Sequence, residues 1–188
     1  MENINNQKKK AGYEYLLAYK ITVPIYDYTV EFCKRWIDYK SRTRDQMEQA
    51  ARSGMVNISE GSSQQSLATY IKLTGVAKGS QEELLKDYLS YARQHGIEIW
   101  DKDRVVREVG ELGEVWEIIK MQILPDSPNF PKLPDNSTQA VNLMISLVNQ
   151  ATYLQSKLIQ SLERKHMTEG GYSENLLKKR LEYRSHSR

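Results

Sequence analysis

The chain is poor in cysteine, and Cys33 is the only one among its 188 residues. A single cysteine excludes an internal disulfide and a cysteine-rich zinc site, and it is typical of a protein from the reducing cytoplasm. No stretch approaches the roughly 18 uncharged apolar residues that a membrane span needs. The first ten residues are polar and lack the apolar core of a secretory signal, so we expect a cytoplasmic protein without a membrane partner.

The motifs of common hydrolases and nucleotide-binding enzymes are missing as well. The chain has no Gly-x-Ser-x-Gly elbow and no Gly-x-x-x-x-Gly-Lys-Ser/Thr phosphate loop. A di-metal bundle needs a Glu-x-x-His pair on each of two helices, and only Glu163 and His166 form such a pair. We therefore expect no cofactor, no metal and no catalytic residue. An acid–base pair of Glu60 and Glu83 is the enzymatic alternative.

Charge is present in quantity but is unevenly distributed. The chain has 27 Lys+Arg against 24 Asp+Glu, a net charge of +3. Residues 164–188 have an excess of basic side chains, and Lys8, Lys9 and Lys10 make the N-terminus basic, so the body between them is mildly acidic. Basic ends attract polyanions such as RNA or DNA, because neutralised phosphates release counterions. Solvated tails without a ligand produce the same pattern.

Apolar residues recur at helical spacing in five segments, and no segment alternates in the manner of a strand. The first segment spans 15–37, where Pro24 predicts a kink near Thr22 or a restart with the proline in the first turn. Four prolines from Pro125 to Pro134, three residues apart, predict an extended connector. The other four helical segments span 42–61, 66–95, 103–122 and 137–165, and a short basic segment follows at 173–184.

Small and apolar stripes indicate how the helices pack. Ala50, Ala51 and Gly54 lie on one side of the second helix, where a neighbouring backbone can approach closely. Gly75 and Gly79 share a face of the third helix, and their propensity cost of roughly 1 kcal/mol each is tolerable if a helix packs tightly there. The fifth helix is apolar around much of its circumference, which places it at the centre of the fold or against another subunit.

The simplest architecture that buries these stripes is all-α, an up-down four-helix bundle with an extra helical excursion and a C-terminal tail. We assign residues 1–14 to a basic N-terminal tail and residues 15–165 to the bundle, including the excursion and proline-rich connector at 101–136. Residues 166–188 form a basic suffix. Whether 103–122 or 137–165 supplies the fourth bundle helix stays open.

Polar side chains occur where a bundle core should be apolar. Asn57 and Glu60 lie near the end of the second helix, and Ser80 and Glu83 lie midway along the third. A buried carboxylate must be hydrogen-bonded or neutralised, because an unpaired one costs several kcal/mol. We interpret the four side chains as a structural network that fixes the register of two antiparallel helices.

The second and third helices resemble a known family. Eight residues reproduce its pattern Q-x-x-x-A-A-x-S-x-x-x-N-I-x-E-G, and residues 79–84 resemble its G-S-x-x-E-L motif; the eight are Gln46, Ala50, Ala51, Ser53, Asn57, Ile58, Glu60 and Gly61. This four-helix-bundle family was first noticed as open reading frames within intervening sequences of bacterial 23S ribosomal RNA genes. It includes the accessory variability protein of diversity-generating retroelements. Residues 142–162 and the following Glu169-Gly170-Gly171-Tyr172 are similar to its "four helix bundle suffix" subgroup.

The resemblance implies a bundle that assembles as a ring-shaped homopentamer, without an established catalytic site. In the retroelement branch the ring binds nucleic acid and a reverse transcriptase. We therefore expect a non-enzymatic, homo-oligomeric helical scaffold that binds RNA or DNA, a protein partner such as a reverse transcriptase, or both. A purely structural or protein-interaction bundle is the alternative. The candidate nucleic-acid contacts are Arg42, Arg44, Arg52, Lys165, Lys178, Lys179, Arg180 and Arg184.

Overall fold

The computed structural model describes residues 16–110, 119 and 131–186. Within these residues every regular element is a helix, which confirms the all-α prediction. The predicted N-terminal tail 1–14, with its three lysines, lies outside the described residues, as does most of the segment 111–130. The helices are α1 Leu17–Lys20, α2 Thr22–Trp36, α3 Arg42–Ser62, α4 Leu67–Gln94, α5 Lys102–Glu108, α6 Ser137–Glu169 and α7 Tyr172–His186.

The first predicted helix is interrupted close to its proline. It is divided into α1 and α2 at Ile21, so that Pro24 lies in the first turn of α2. Proline is tolerated there because the first backbone N–H groups of a helix have no intrahelical partner. The restart predicted from the sequence is confirmed.

Short polar side chains fix where the longer helices begin. The side chains of Ser41, Ser66 and Asn136 accept hydrogen bonds from backbone N–H groups in the first turns of α3, α4 and α6. Such caps satisfy donors that the helix leaves unpaired, and each is worth about 1 kcal/mol. Gly96, with φ of +64°, follows α4, and Gly170, with φ of +77°, ends α6. Both adopt the left-handed conformation that favours glycine.

The bundle is formed by α2, α3, α4 and α6. The most extensive packing joins α3 to α4 and α4 to α6, and α2 packs against α3 and α6 with its C-terminal half near the end of α4. There the ring of Phe32 lies 5.0 Å from the rings of both Tyr88 and Tyr91 in edge-on geometry. Burial of each large apolar side chain in such a core contributes about 1.5–3 kcal/mol.

The broad apolar surface of α6 is buried within the chain. Leu143 and Leu147 are fully buried although they lie beside the main stripe, and Leu154 is half-buried. Of the two explanations left open by the sequence, the central position is the one observed. Since α6 packs against both α2 and α4, it supplies the fourth bundle helix.

The excursion between α4 and α6 differs from its prediction. A helix was expected over 103–122, but α5 ends at Glu108 and Val109 and Gly110 are not helical. Ile119 is helical, and the rest of the segment lies outside the described residues. Val105 and Val109 are β-branched, which lowers helix propensity, and Gly110 follows them directly. Both valines and Ile119 are nevertheless buried against the main core. Of the proline-rich connector, residues 131–134 are described and are not helical, whereas Pro125 and Pro128 lie outside the described residues.

The C-terminal region is helical almost to its end. The helix α6 runs on to Glu169 and so crosses the boundary that we predicted at 165/166. After Gly170 and Gly171, the short basic segment forms α7. Among the described residues, no helix combines the length and the apolar character that crossing a membrane requires.

Candidate functional site

The arginines of α3 lie among carboxylates. Arg44 donates from Nε to Glu48 Oε1 at 3.0 Å, one helical turn away. Arg42 lines a cavity of about 750 Å³ between α3 and α4, which we call the α3–α4 groove. Arg52 is exposed. Two of the three predicted arginine contacts therefore lie beside acidic side chains of their own chain.

The α3–α4 groove is acidic. Asp45 from α3 and Glu83 and Asp87 from α4 line it, with Arg42 as the one basic residue in its lining. Burial raises the pKa of the Asp87 carboxyl, and the nearby charge of Glu83 raises it further. Both effects disfavour the ionised form of the Asp87 carboxyl.

The predicted polar network is partly different from the one observed. Ser53 Oγ and Ser80 Oγ are 2.8 Å apart, and Asn57 Nδ2 donates to Ser53 Oγ at 2.9 Å. The Ser53–Ser80 contact links α3 to α4, and Asn57 joins this network from within α3. Glu60 and Glu83, however, are exposed and take no part in it. The long side chains of these glutamates reach water, whereas the short side chain of Ser53 stays between the helices. Ser53 belongs to the family motif quoted above, but it was not predicted to be part of the network.

Two buried glutamines were not predicted from the sequence. Gln81 on α4 and Gln155 on α6 are fully buried, and neither amide has a hydrogen-bond partner among the described residues. Gln81 packs directly on Gly54: a Cβ at that glycine would lie 2.8 Å from Gln81 Cδ. The close approach expected on the small-residue side of α3 is therefore made by a side chain. The sequence does contain a signal for this packing, because a glutamine stands at a position of the helical pattern that faces the core.

The basic suffix forms an exposed helix. No residue of α7 is buried. Within the described part of the chain, its four cations form no ion pair; they are Lys178, Lys179, Arg180 and Arg184. Lys165, on the last turns of α6, lies 3.8 Å from Glu169. The four cations of α7, together with Arg42 and Arg52, are thus the predicted contacts that are exposed and form no ion pair among the described residues.

Two aromatic side chains contribute to the lining of a second cavity, of about 460 Å³, between α5 and α6. Trp100 and Tyr153 line it together with Lys102 and Gln150. Tyr153 is 61% exposed, and Tyr39, elsewhere on the surface, is 76% exposed. By contrast, Tyr19 and Tyr26 are half-buried.

Cys33 and the acidic residues do not assemble into reactive clusters in the described residues. The Cys33 thiol is buried, and burial raises its pKa to about 12. A thiol with that pKa is protonated at neutral pH and is a poor nucleophile or metal ligand. Within residues 16–110 and 131–186, no group of three or more His, Cys, Asp or Glu side chains is placed to hold a metal ion.

Comparison with known proteins identifies the same family as the sequence motif in α3 and α4. The family model for the 23S rRNA-intervening sequence protein matches residues 14–116. No curated protein and no solved structure matches the chain. The match covers α1 to α5 and the Ser53–Ser80 contact. With more than half of its length matched, the chain belongs to the 23S rRNA-intervening sequence protein family.

Proposed function

We propose that the protein is a non-enzymatic, homo-oligomeric helical scaffold that binds RNA or DNA through α7. The single observation that carries this proposal is the exposed helix with four unpaired cations and only two acidic residues, Glu174 and Glu182. A helix of this kind neutralises phosphates without first breaking ion pairs of its own, and each phosphate that it neutralises releases counterions.

The arginines of α3 have a smaller role in nucleic-acid binding. Arg44 is paired with Glu48, and Arg42 lines the acidic α3–α4 groove. A phosphate at either position would meet nearby carboxylates, and like charges repel it. Arg52 is exposed and supports a secondary contact.

Self-association is supported by exposed apolar surface on α7. Five of the large exposed apolar side chains belong to this one helix: Tyr172, Leu176, Leu177, Leu181 and Tyr183. An isolated helix of about 12–15 residues is only marginally stable in water, and most helices depend on packing of an apolar face. A partner for α7 therefore belongs to the functional form that we propose.

The absence of catalysis is part of the proposal. Glu60 and Glu83, the two carboxylates considered for acid–base chemistry, are exposed and are not joined by the network that links α3 to α4. The Cys33 thiol is buried, and its raised pKa keeps it protonated. Neither arrangement suits a general base or a nucleophile.

A fluorescence-anisotropy titration with labelled RNA and single-stranded DNA tests the nucleic-acid part. We expect micromolar binding that weakens steeply between about 50 and 200 mM salt. Lys178→Glu/Lys179→Glu should weaken binding at least about tenfold, since it reverses two unpaired charges. The matched control is Lys34→Glu/Arg93→Glu, which changes the net charge equally at exposed positions of α2 and α4. Absence of binding at the lower salt concentration would contradict the proposal.

A protein-interaction module without a nucleic-acid role is the second candidate. The exposed apolar side chains of α7 favour it, because phosphate binding alone does not require them. A protein partner, such as the reverse transcriptase implied by the resemblance, would bind the same apolar surface. Under this candidate, the Lys178→Glu/Lys179→Glu variant would keep its protein partner in a pull-down, and no salt-dependent RNA or DNA binding would be measured.

A further inference from the structure

The helix α7 mixes apolar and basic side chains on one side, so it lacks the separate apolar face of an ordinary amphipathic helix. At about 100° per residue, its five large apolar side chains all fall within one half of the circumference. Arg180 and Arg184 lie along the middle of that half, whereas Lys178 and Lys179 lie on the opposite, polar half. Guanidinium groups within an apolar face predict a docking surface that is partly apolar and carries carboxylates in register with the two arginines.

A surface of that kind lies on α4. Val76, Gly79, Glu83 and Asp87 are spaced by three and four residues and so share one face of the helix. Val76 is 45% exposed, and a Cβ at Gly79 would meet no atom within 4 Å. The tight helix packing that we expected at Gly75 and Gly79 is therefore not made within the chain. This open face leads directly into the acidic α3–α4 groove.

The two surfaces match in spacing as well as in charge. Arg180 and Arg184 are four residues apart, as are Glu83 and Asp87, and four residues span about 6 Å of helix. In a parallel alignment, Leu176 and Leu177 reach the apolar end of the α4 face while the arginines reach its acidic end. The groove volume of about 750 Å³ lies within the range of sites that hold large side chains or ligands.

We propose that α7 of one copy docks on the α4 face of a second copy, with Arg180 and Arg184 paired to Glu83 and Asp87. This proposal rests on the self-association in the proposed function. The contact is made between copies, because no residue of α7 is buried within its own chain. It divides the cations of α7 between two tasks: the arginines hold the assembly, and Lys178 and Lys179 face outward to phosphate.

Charge exchange between the two surfaces tests the contact. The α7 variant is Arg180→Glu/Arg184→Glu, and the groove variant is Glu83→Arg/Asp87→Arg. Light scattering should show an assembled wild-type protein, whereas each variant alone should fall to the 21.8 kDa of one chain. An equimolar mixture of the two variants should assemble again, because each reversed α7 meets a reversed groove on the other chain. Circular dichroism establishes that each variant is folded.

Lys178→Glu/Lys179→Glu is the matched control, and its mass should equal that of the wild type. Wild-type mass for both the α7 variant and the groove variant would overturn the docking while leaving self-association in place. A monomeric wild type would overturn both docking and self-association. If α7 docks on its own chain instead, the equimolar mixture of the α7 variant and the groove variant should contain only folded monomers. That outcome also overturns the proposal. RNA binding is measured separately, so its failure leaves the result on docking unaffected.

Discussion

At the scale of single residues, Gly54 and Gln81 determine how closely α3 and α4 approach. A Cβ at position 54 would lie 2.8 Å from Gln81 Cδ and 3.0 Å from Gln81 Cγ, and Gln81 is fully buried. We expect Gly54→Ala to lower the free energy of unfolding by about 1–3 kcal/mol, because an overpacked core forces side chains and backbone to shift. Urea denaturation followed by circular dichroism measures the change.

Gly75→Ala is the matched control for Gly54→Ala. It makes the same substitution in a helix interior, but a Cβ at position 75 meets no atom within 4 Å. Alanine there should raise the free energy of unfolding by about 0.5–1 kcal/mol through helix propensity. Equal effects of the two substitutions would contradict the close contact at Gly54.

Cys33 gives a second prediction at this scale. Its pKa of about 12 predicts that the native protein does not react with a thiol reagent near pH 8, whereas protein unfolded in urea reacts completely. The raised pKa of Cys33 also determines the direction in which the free energy of unfolding changes with pH. The unfolded thiol releases its proton from about pH 8.5, so stability should fall as the pH rises from there towards 12. Rapid reaction of the Cys33 thiol in the folded protein would contradict this prediction, because it would show that the thiol is accessible to the reagent.

At the scale of elements, α6 depends on its N-cap. Asn136 Oδ1 accepts hydrogen bonds from the backbone N–H groups of Thr138, at 2.9 Å, and Gln139, at 3.2 Å. We expect Asn136→Ala to destabilise the protein by about 1 kcal/mol, because these donors lose their protein acceptor. Asn136→Asp should remain within a few tenths of a kcal/mol of the wild type, since a carboxylate caps as well as an amide. Thermal unfolding of the three proteins compares them.

Helices with local signals were predictable from the sequence. Ser66 before α4, Gly96 after it and Pro24 within the first segment each act on the backbone within a few residues. The early end of α5 was harder to predict, because Val105 and Val109 both fit a helical stripe and both are buried, although Val109 lies beyond the last residue of α5. The central position of α6 required knowledge of its neighbours, which periodicity alone does not contain.

At the scale of the whole molecule, the net charge of each segment was predictable from the sequence, but the charged side chains that meet between helices were not. The chain order shows that Arg44 lies one turn before Glu48, and that pair could be anticipated. The acidic surroundings of Arg42 depend on Glu83 and Asp87, which reach the same groove only after α3 and α4 pack. The exclusion of Glu60 and Glu83 from the polar network likewise depends on how far their side chains lie from the helix contact.

Assembly makes a prediction for thermal stability. If copies associate through α7, the melting temperature of the full chain should rise with protein concentration, by mass action on the folded state. A chain that ends at Glu169 should melt at a temperature independent of concentration, and its bundle should remain folded because no residue of α7 is buried. Differential scanning calorimetry over a wide concentration range tests this. A full chain with a constant melting temperature would contradict the association.

The conformation of Gly170 has a geometric consequence for any such assembly. Its φ of +77° fixes the direction in which α7 leaves α6, and an L-residue adopts that conformation only with strain. When a terminal arm joins each protomer to the next, the exit angle of the arm sets the rotation and the rise per step. Those two quantities decide whether successive protomers close into a circle or continue as a filament. If copies associate through α7 as we propose, the backbone dihedral at residue 170 therefore contributes to the number of subunits in the assembly.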